Sequence, residues 1–196
     1  MATDETGTDH ASRQATVETL AAMTHPVRRR LIDLLSAGGP ATVGTLADKT
    51  GQRVGSISHH LKVLAANGLI EEAPELARDR RESWWRIVKA SWRWSVANFE
   101  DDPAGEIIAR AAEEQTLRSN FDKAKSWYDT RDEYDPAWVE AAIVSTSWLK
   151  ATPDELTDLN DRMVSLLHDF VAEQAETPDV ERESVYLFSY GMPVKP

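Results

Sequence analysis

Arg53-Val-Gly-Ser-Ile-Ser-His-His-Leu-Lys-Val-Leu-Ala-Ala-Asn67, followed at once by Gly68-Leu-Ile, decides the reading of the chain. Val54, Ile57, Leu61 and Leu64 stand 3, 4 and 3 residues apart, a spacing that gathers them on one stripe of an α-helix. Asn67-Gly68 supplies the stop, because both residues tolerate left-handed backbone. At about 100° per residue the opposite face collects Gln52, Gly55, Ser56, His59 and Lys62, with Ser58 and His60 on its flanks. That face carries no acid and is rich in hydrogen-bond donors.

Upstream, Thr42 is placed to cap a short helix carrying Val43, Leu46 and Ala47, which closes at Gly51. Before it, Val27, Leu31, Leu34 and Leu35 recur at helical spacing until Gly38-Gly39-Pro40. His25-Pro26 separates that helix from an earlier one starting at Val17, since proline suits a first turn. Downstream, Leu69–Glu72 and Ser83–Val88, the latter rich in aromatic and β-branched residues, read as two strands of a hairpin. Their link, 73–82, is charged and arginine-rich. Helices followed by a hairpin with a basic tip make a winged helix-turn-helix, whose helix 53–67 enters a major groove while the wing 73–82 meets the minor groove or backbone.

The second half begins with an acidic break, Glu100-Asp-Asp-Pro103, and a long helical run from about Ala104 to Tyr128. Ile107, Ala111, Leu117, Phe121, Ala124 and Tyr128 form its stripe, and a partner subunit is the simplest thing for so long a helix to lie against. Residues 142–149 alternate like a strand, Thr152-Pro-Asp-Glu155 opens a further helix, and Val185–Tyr190 reads as a second strand. The fold class is therefore mainly α with small β: an N-terminal winged helix-turn-helix, a long helix and a C-terminal strand-helix-strand α+β appendage. The expected division is a disordered tail over 1–14, a DNA-binding domain over 15–90, and a dimerisation and effector domain over 91–196.

Composition narrows the function. The 196 residues include no cysteine, which excludes disulfides, thiolate metal sites and a cysteine nucleophile. The polar, acidic start and the lack of a long apolar run point to a cytoplasmic protein without membrane association. The net charge is −11 but unevenly spread: residues 1–90 hold 12 Lys+Arg against 11 Asp+Glu, and residues 91–196 hold 10 against 22. A basic strip, Leu76 to Arg93, is free to face a polyanion while the acidic half faces water. No phosphate-binding glycine loop, His-Glu-x-x-His run or Gly-x-Ser-x-Gly elbow is present, so no enzyme is expected. His59 and His60 diverge by about 100° on a helix and cannot share an ion. Neither metal nor cofactor is expected.

Ala22-Met-Thr-His-Pro-Val-Arg-Arg-Arg-Leu-Ile-Asp-Leu-Leu, Thr45-Leu-Ala, and Ser58-His-His-Leu-Lys-Val-Leu-Ala-Ala-Asn-Gly-Leu-Ile together resemble the ArsR-type (arsenic-repressor-like) winged-helix transcription regulators. The set Ser58, His60, Leu61, Leu64, Gly68, Leu69 is similar to that family's recognition-helix signature, and the likeness runs from about Val17 to Val88. It implies a homodimeric, sequence-specific DNA-binding protein of bacteria, usually a repressor released by an effector. By position it implies that Gln52, Arg53, Ser56, Ser58 and His59 meet base edges or phosphates, with Arg78, Arg80 and Arg81 at the wing tip. Lys62 shares the outward face, and His60, on the flank, orders the helix junction or meets a phosphate. Metal-sensing members place cysteines on the helix matching 43–49, where this chain has Thr45-Leu46-Ala47. The expected partners are double-stranded DNA with a pseudo-palindromic operator, a second copy of the chain and a small-molecule effector. The tryptophans read as packing, with the wall of an effector pocket as the alternative. A rival reading is a winged-helix adaptor that no longer binds DNA and docks a protein through its acidic half; an outward face free of acid speaks against it.

Overall fold

The computed structural model describes residues 13–79, 82–88 and 92–195, and the chain divides after Lys123 into two units. In the first, β1 (Arg13–Gln14) leads into α1 (Val17–Thr24), whose Thr16 hydroxyl accepts from the Thr19 amide at 3.2 Å. α2 (Pro26–Gly38) starts on its proline, with His25 Nδ1 accepting from the Val27 amide at 3.2 Å. β2 (Ala41–Thr42) precedes α3 (Val43–Thr50), which Thr42 caps and Gly51 ends with a left-handed φ of 65°. α4 (Val54–Ala66) ends at Asn67, and Gly68 turns the chain with φ 67°. β3 (Ile70–Glu72) and β4 (Trp84–Ile87) follow, then β5 (Trp92–Arg93) and α5 (Pro103–Thr130).

β4 is the centre of an antiparallel sheet ordered β2-β4-β3, with Ala41 opposite Trp85 on one side and Glu72 opposite Trp85 on the other. Leu31 and Leu35 of α2, Leu46 of α3, and Ile57, Leu61 and Leu64 of α4 close on Ile70 and Trp85 of this sheet as one buried cluster. The helical periodicity of 54–64 thus becomes a rigid seat for α4, since every residue of its apolar stripe except Val54 is fully buried.

A second cluster joins Ala15 and Leu20 to Ala109 and Ala112 of α5, with Trp92, Trp94 and Ile108 around them. The apolar stripe read from the sequence of α5 is not what packs here. The buried residues of the helix are Gly105, Ala109, Ala112 and Asn120, whereas Ile107, Leu117, Phe121 and Tyr128 of the larger apolar stripe are exposed. Small side chains let the α1 backbone approach. At Gly105 an added Cβ would stand 2.9 Å from Val17 Cγ2. Arg13 and Gln14, expected in the tail, instead pair in parallel with Trp92 and Arg93; residues 1–12 lie outside the described residues.

The second unit holds the end of α5, α6 (Pro136–Ala141) and α7 (Pro153–Ala175). α6 was hidden behind Asp135-Pro136, which reads as a break but caps a helix, Asp135 Oδ1 accepting from the Ala137 amide at 2.8 Å. α7 begins on the expected capping box: Thr152 Oγ1 accepts from the Glu155 amide and Glu155 Oε2 from the Thr152 amide. The expected strands flanking it carry no ladder among the described residues. Tyr186, Phe188 and Tyr190 do follow one another at 6.1 and 6.0 Å between rings. That two-residue spacing fits extended chain. Alternation prescribes such a conformation, but a strand also needs a neighbour to hydrogen-bond. No described residue of this unit is buried.

Candidate nucleic-acid interface

The outward side of α4 is bounded by what the inward side must do. With Ile57, Leu61 and Leu64 fixed in the core, Gln52, Arg53, Gly55, His59 and Lys62 are left exposed and Ser56 half-exposed. These residues share a face at spacings of three and four. Arg53 occupies the N-cap position yet gives no side-chain cap, so the positive end of the helix dipole is open to an anion. A Cβ added at Gly55 would meet nothing within 4 Å, so the backbone there is bare.

Two further candidates on the flank of α4 also make contacts within the fold. The Ser58 hydroxyl donates to its own helix at Val54 O, 3.0 Å away. His60 turns toward the start of α2: its ring lies 4.7 Å from that of His25, and its Nδ1 is buried without a hydrogen-bond partner among the described residues. Burial first, and then the electrostatic influence of the neighbouring His25, Arg28 and His59, hold the His60 imidazole below its ordinary pKa. A neutral ring at a helix junction is what results.

In the wing, Ala73 N donates to Trp84 O at 2.8 Å and a short helical turn spans Pro74–Leu76. Glu82 holds the loop by accepting from the Arg78 amide at 3.1 Å and from Trp84 Nε1 at 3.2 Å, which lowers its carboxyl pKa. Arg86 is tied by ion pairs to Glu71, at 2.6 Å, and to Glu75. Arg78 projects exposed from the loop; Arg80 and Arg81 lie outside the described residues.

The arginines riding α2 divide similarly. Arg28 donates to Ala22 O and Ala21 O at 2.7 and 2.8 Å, fastening α1 to α2, and Arg29 reaches Thr116 of α5 at 3.4 Å. Only Arg30 of the three is exposed. The tryptophans are spread over the fold: Trp85 packs in the first cluster, Trp92 against both clusters, Trp94 against the second, and Trp148 is exposed. A shallow groove elsewhere on this unit is polar, lined by Arg29, Glu114, Gln115, Arg118, Ser119 and Asp122. Among the described residues no cluster of three or more His, Asp or Glu could hold a metal ion, and no helix is long and apolar enough to cross a membrane.

Residues 23–73, from the end of α1 through β3, match the family model described as a helix-turn-helix domain. The chain therefore carries a helix-turn-helix domain. With the β2-β4-β3 sheet beside it, the helix-turn-helix is winged, α3 and α4 being its two defining helices. Several solved structures are similar over part of the chain. The transcriptional repressor BigR from Xylella fastidiosa is 22% identical, with 53% of this chain and 82% of that one covered and a TM-score of 0.34. The homodimeric winged helix-turn-helix domain of Mb0332 from Mycobacterium bovis, a possible ArsR-family regulator, is 23% identical over 53% of this chain and 76% of that one, with a TM-score of 0.33. HlyU from Vibrio cholerae is 21% identical over 36% of this chain and 72% of that one, with a TM-score of 0.32. Curated proteins give no match.

Gly55 is the functional candidate that sequence reasoning placed on the outward face without assigning it a role. The available signal was a glycine inside a strongly periodic helix, where it lowers helix stability by about 0.5–1 kcal/mol relative to alanine.

Proposed function

We propose that this protein is an ArsR-type transcription regulator that binds double-stranded DNA as a homodimer. α4 lies in the major groove and the wing, 73–82, on the minor groove or backbone. The observation that carries this reading is the outward face of α4: rigidly seated, uncapped at its positive end, bare at Gly55 and free of acid from Gln52 to Asn67. Ser56 and His59 donate to base edges, Gln52 and Arg53 meet bases or phosphates at the open helix end, and Lys62 and Arg78 neutralise phosphates. Ser58 and His60 support the helix from within. Arg80 and Arg81 complete the wing tip.

Dimerisation falls to α1 and α5, whose packed pair presents the exposed Ile107 and Leu117 to a second copy. A two-fold dimer sets two half-sites about one helical turn apart, hence a pseudo-palindromic operator. The protein acts in the cytoplasm as a repressor, with a small molecule as its effector. Fluorescence anisotropy with DNA from upstream of its own gene, against scrambled DNA across a salt series, tests the reading. Tight binding that prefers the native sequence supports it. Weak, sequence-blind binding that disappears near physiological salt overturns it in favour of a protein-docking adaptor.

A further inference from the structure

α4 has one apolar side chain that the core does not use. Val54 belongs by spacing to the stripe of Ile57, Leu61 and Leu64, yet those three are fully buried and Val54 is 55% exposed. Among the described residues it is neither part of the first core cluster nor packed against it. Its place at the first residue of α4 explains why. Cα–Cβ bonds tilt toward the N-terminus of a helix, so a side chain at that position leans past the end of the turn that Ile57 anchors. Local helix physics does not call for valine there either. Proline is preorganised for a first turn and an acid complements the positive end of the dipole, whereas valine does neither and is a weaker helix former than the straight-chain residues. Val54 stands instead in the exposed run 52–55, at the end of α4 by which a recognition helix reaches base edges.

We propose that Val54 reads a thymine in each half-site through the thymine C5-methyl group. This rests on the DNA-binding reading of α4 and adds to it the base that one residue selects. Valine carries no side-chain donor or acceptor, and the apolar feature that the major groove offers is the thymine methyl. Against guanine, adenine or cytosine the isopropyl group would take a polar edge out of water with no hydrogen bond to replace those lost. Against the thymine methyl, two apolar surfaces leave water together. Gly55, next in the chain, has no side chain to hold the helix off the groove, and Ser56 and His59 supply the hydrogen bonds that Val54 cannot. Polar and apolar readout are thus divided between residues of the same helix.

Fluorescence anisotropy tests this with duplexes spanning the segment upstream of the gene that the full-length protein protects from nuclease. Each thymine is replaced in turn by deoxyuridine, which lacks only the methyl group. The parent protein should lose about fourfold in affinity at one thymine of each half-site, the worth of one buried methyl, and about fifteenfold when both are replaced. Val54→Ala should bind the thymine duplex more weakly by a similar factor and no longer distinguish thymine from deoxyuridine at those two positions. Differential scanning fluorimetry checks that the variant is folded. A parent indifferent to every deoxyuridine, or a Val54→Ala chain with the same deoxyuridine sensitivity as the parent, overturns the thymine contact and leaves DNA binding standing. The absence of any sequence-preferring binding overturns the DNA-binding reading, and this inference with it.

Discussion

Gly55→Ala separates folding from recognition. Gly55 lies in the first turn of α4 with a negative φ, and nothing stands within 4 Å of a new Cβ. In the free protein, alanine therefore meets no obstruction and gains helix propensity of about 0.5–1 kcal/mol. For a chain of this size that raises Tm by about 1–4 °C. On DNA the same methyl stands between the α4 backbone and the groove or phosphate. Lifting the helix by about 1 Å stretches the hydrogen bonds made by Ser56 and His59 past their useful length, and each good base contact is worth about 1–3 kcal/mol. The expected loss is at least about tenfold in Kd, or about 1.4 kcal/mol. Differential scanning fluorimetry and fluorescence anisotropy on one preparation read both effects. A variant that is more stable and binds its operator as tightly as the parent refutes the close approach of α4. A variant that loses stability refutes the open environment assigned to Gly55.

Ile57→Ala removes a fully buried side chain beneath the recognition face, so unfolding by urea should show a loss of about 2–4 kcal/mol; a loss below about 1 kcal/mol would show that α4 is not seated there. Lys62→Ala should weaken native and scrambled DNA alike and make the slope of log K against log salt shallower by about 0.9 for each phosphate left unneutralised, whereas an unchanged slope places Lys62 away from the backbone. His60 has a folded pKa below its ordinary value, so the folded state binds fewer protons than the unfolded state. Stability is therefore complete above the ordinary value of 6.5 and falls as pH drops below it. Chemical denaturation from pH 8 to pH 5 should show this fall, and His60→Gln should flatten it; an unaltered pH profile would remove His60 from the account.

The helices were legible because their causes are local. Thr42, Thr152-Pro153 and Asn67-Gly68 mark ends within a few residues, and the stripe of Ile57, Leu61 and Leu64 repeats within one element. What escaped was the short and the distant. β2 is two residues long and exists only because Trp84 and Trp85, more than forty positions away, stand opposite it. β1 depends likewise on Trp92 and Arg93. Among the candidate DNA-contacting residues, sequence spacing put Ser58 and His60 on the flank of α4 and His60 at the helix junction, but could not reveal that the Ser58 hydroxyl donates to Val54 O or that His25 is the ring beside His60. Nor does a run of three arginines on the first turn of α2 show by itself that Arg28 is spent on the end carbonyls of α1.

The largest departure lies after Lys123, and it has one physical origin. Periodicity identifies apolar residues that need cover without identifying what covers them. In the first unit the chain itself supplies the cover for 54–64 and for Ala109 and Ala112. In the second, segment 142–149, Val185, and Leu159, Met163, Leu166 and Phe170 of α7 keep the alternation and the helical spacing of buried elements while remaining exposed. A chain that carried such patterns with nothing to cover them would expose apolar patches far larger than a soluble monomer ordinarily shows.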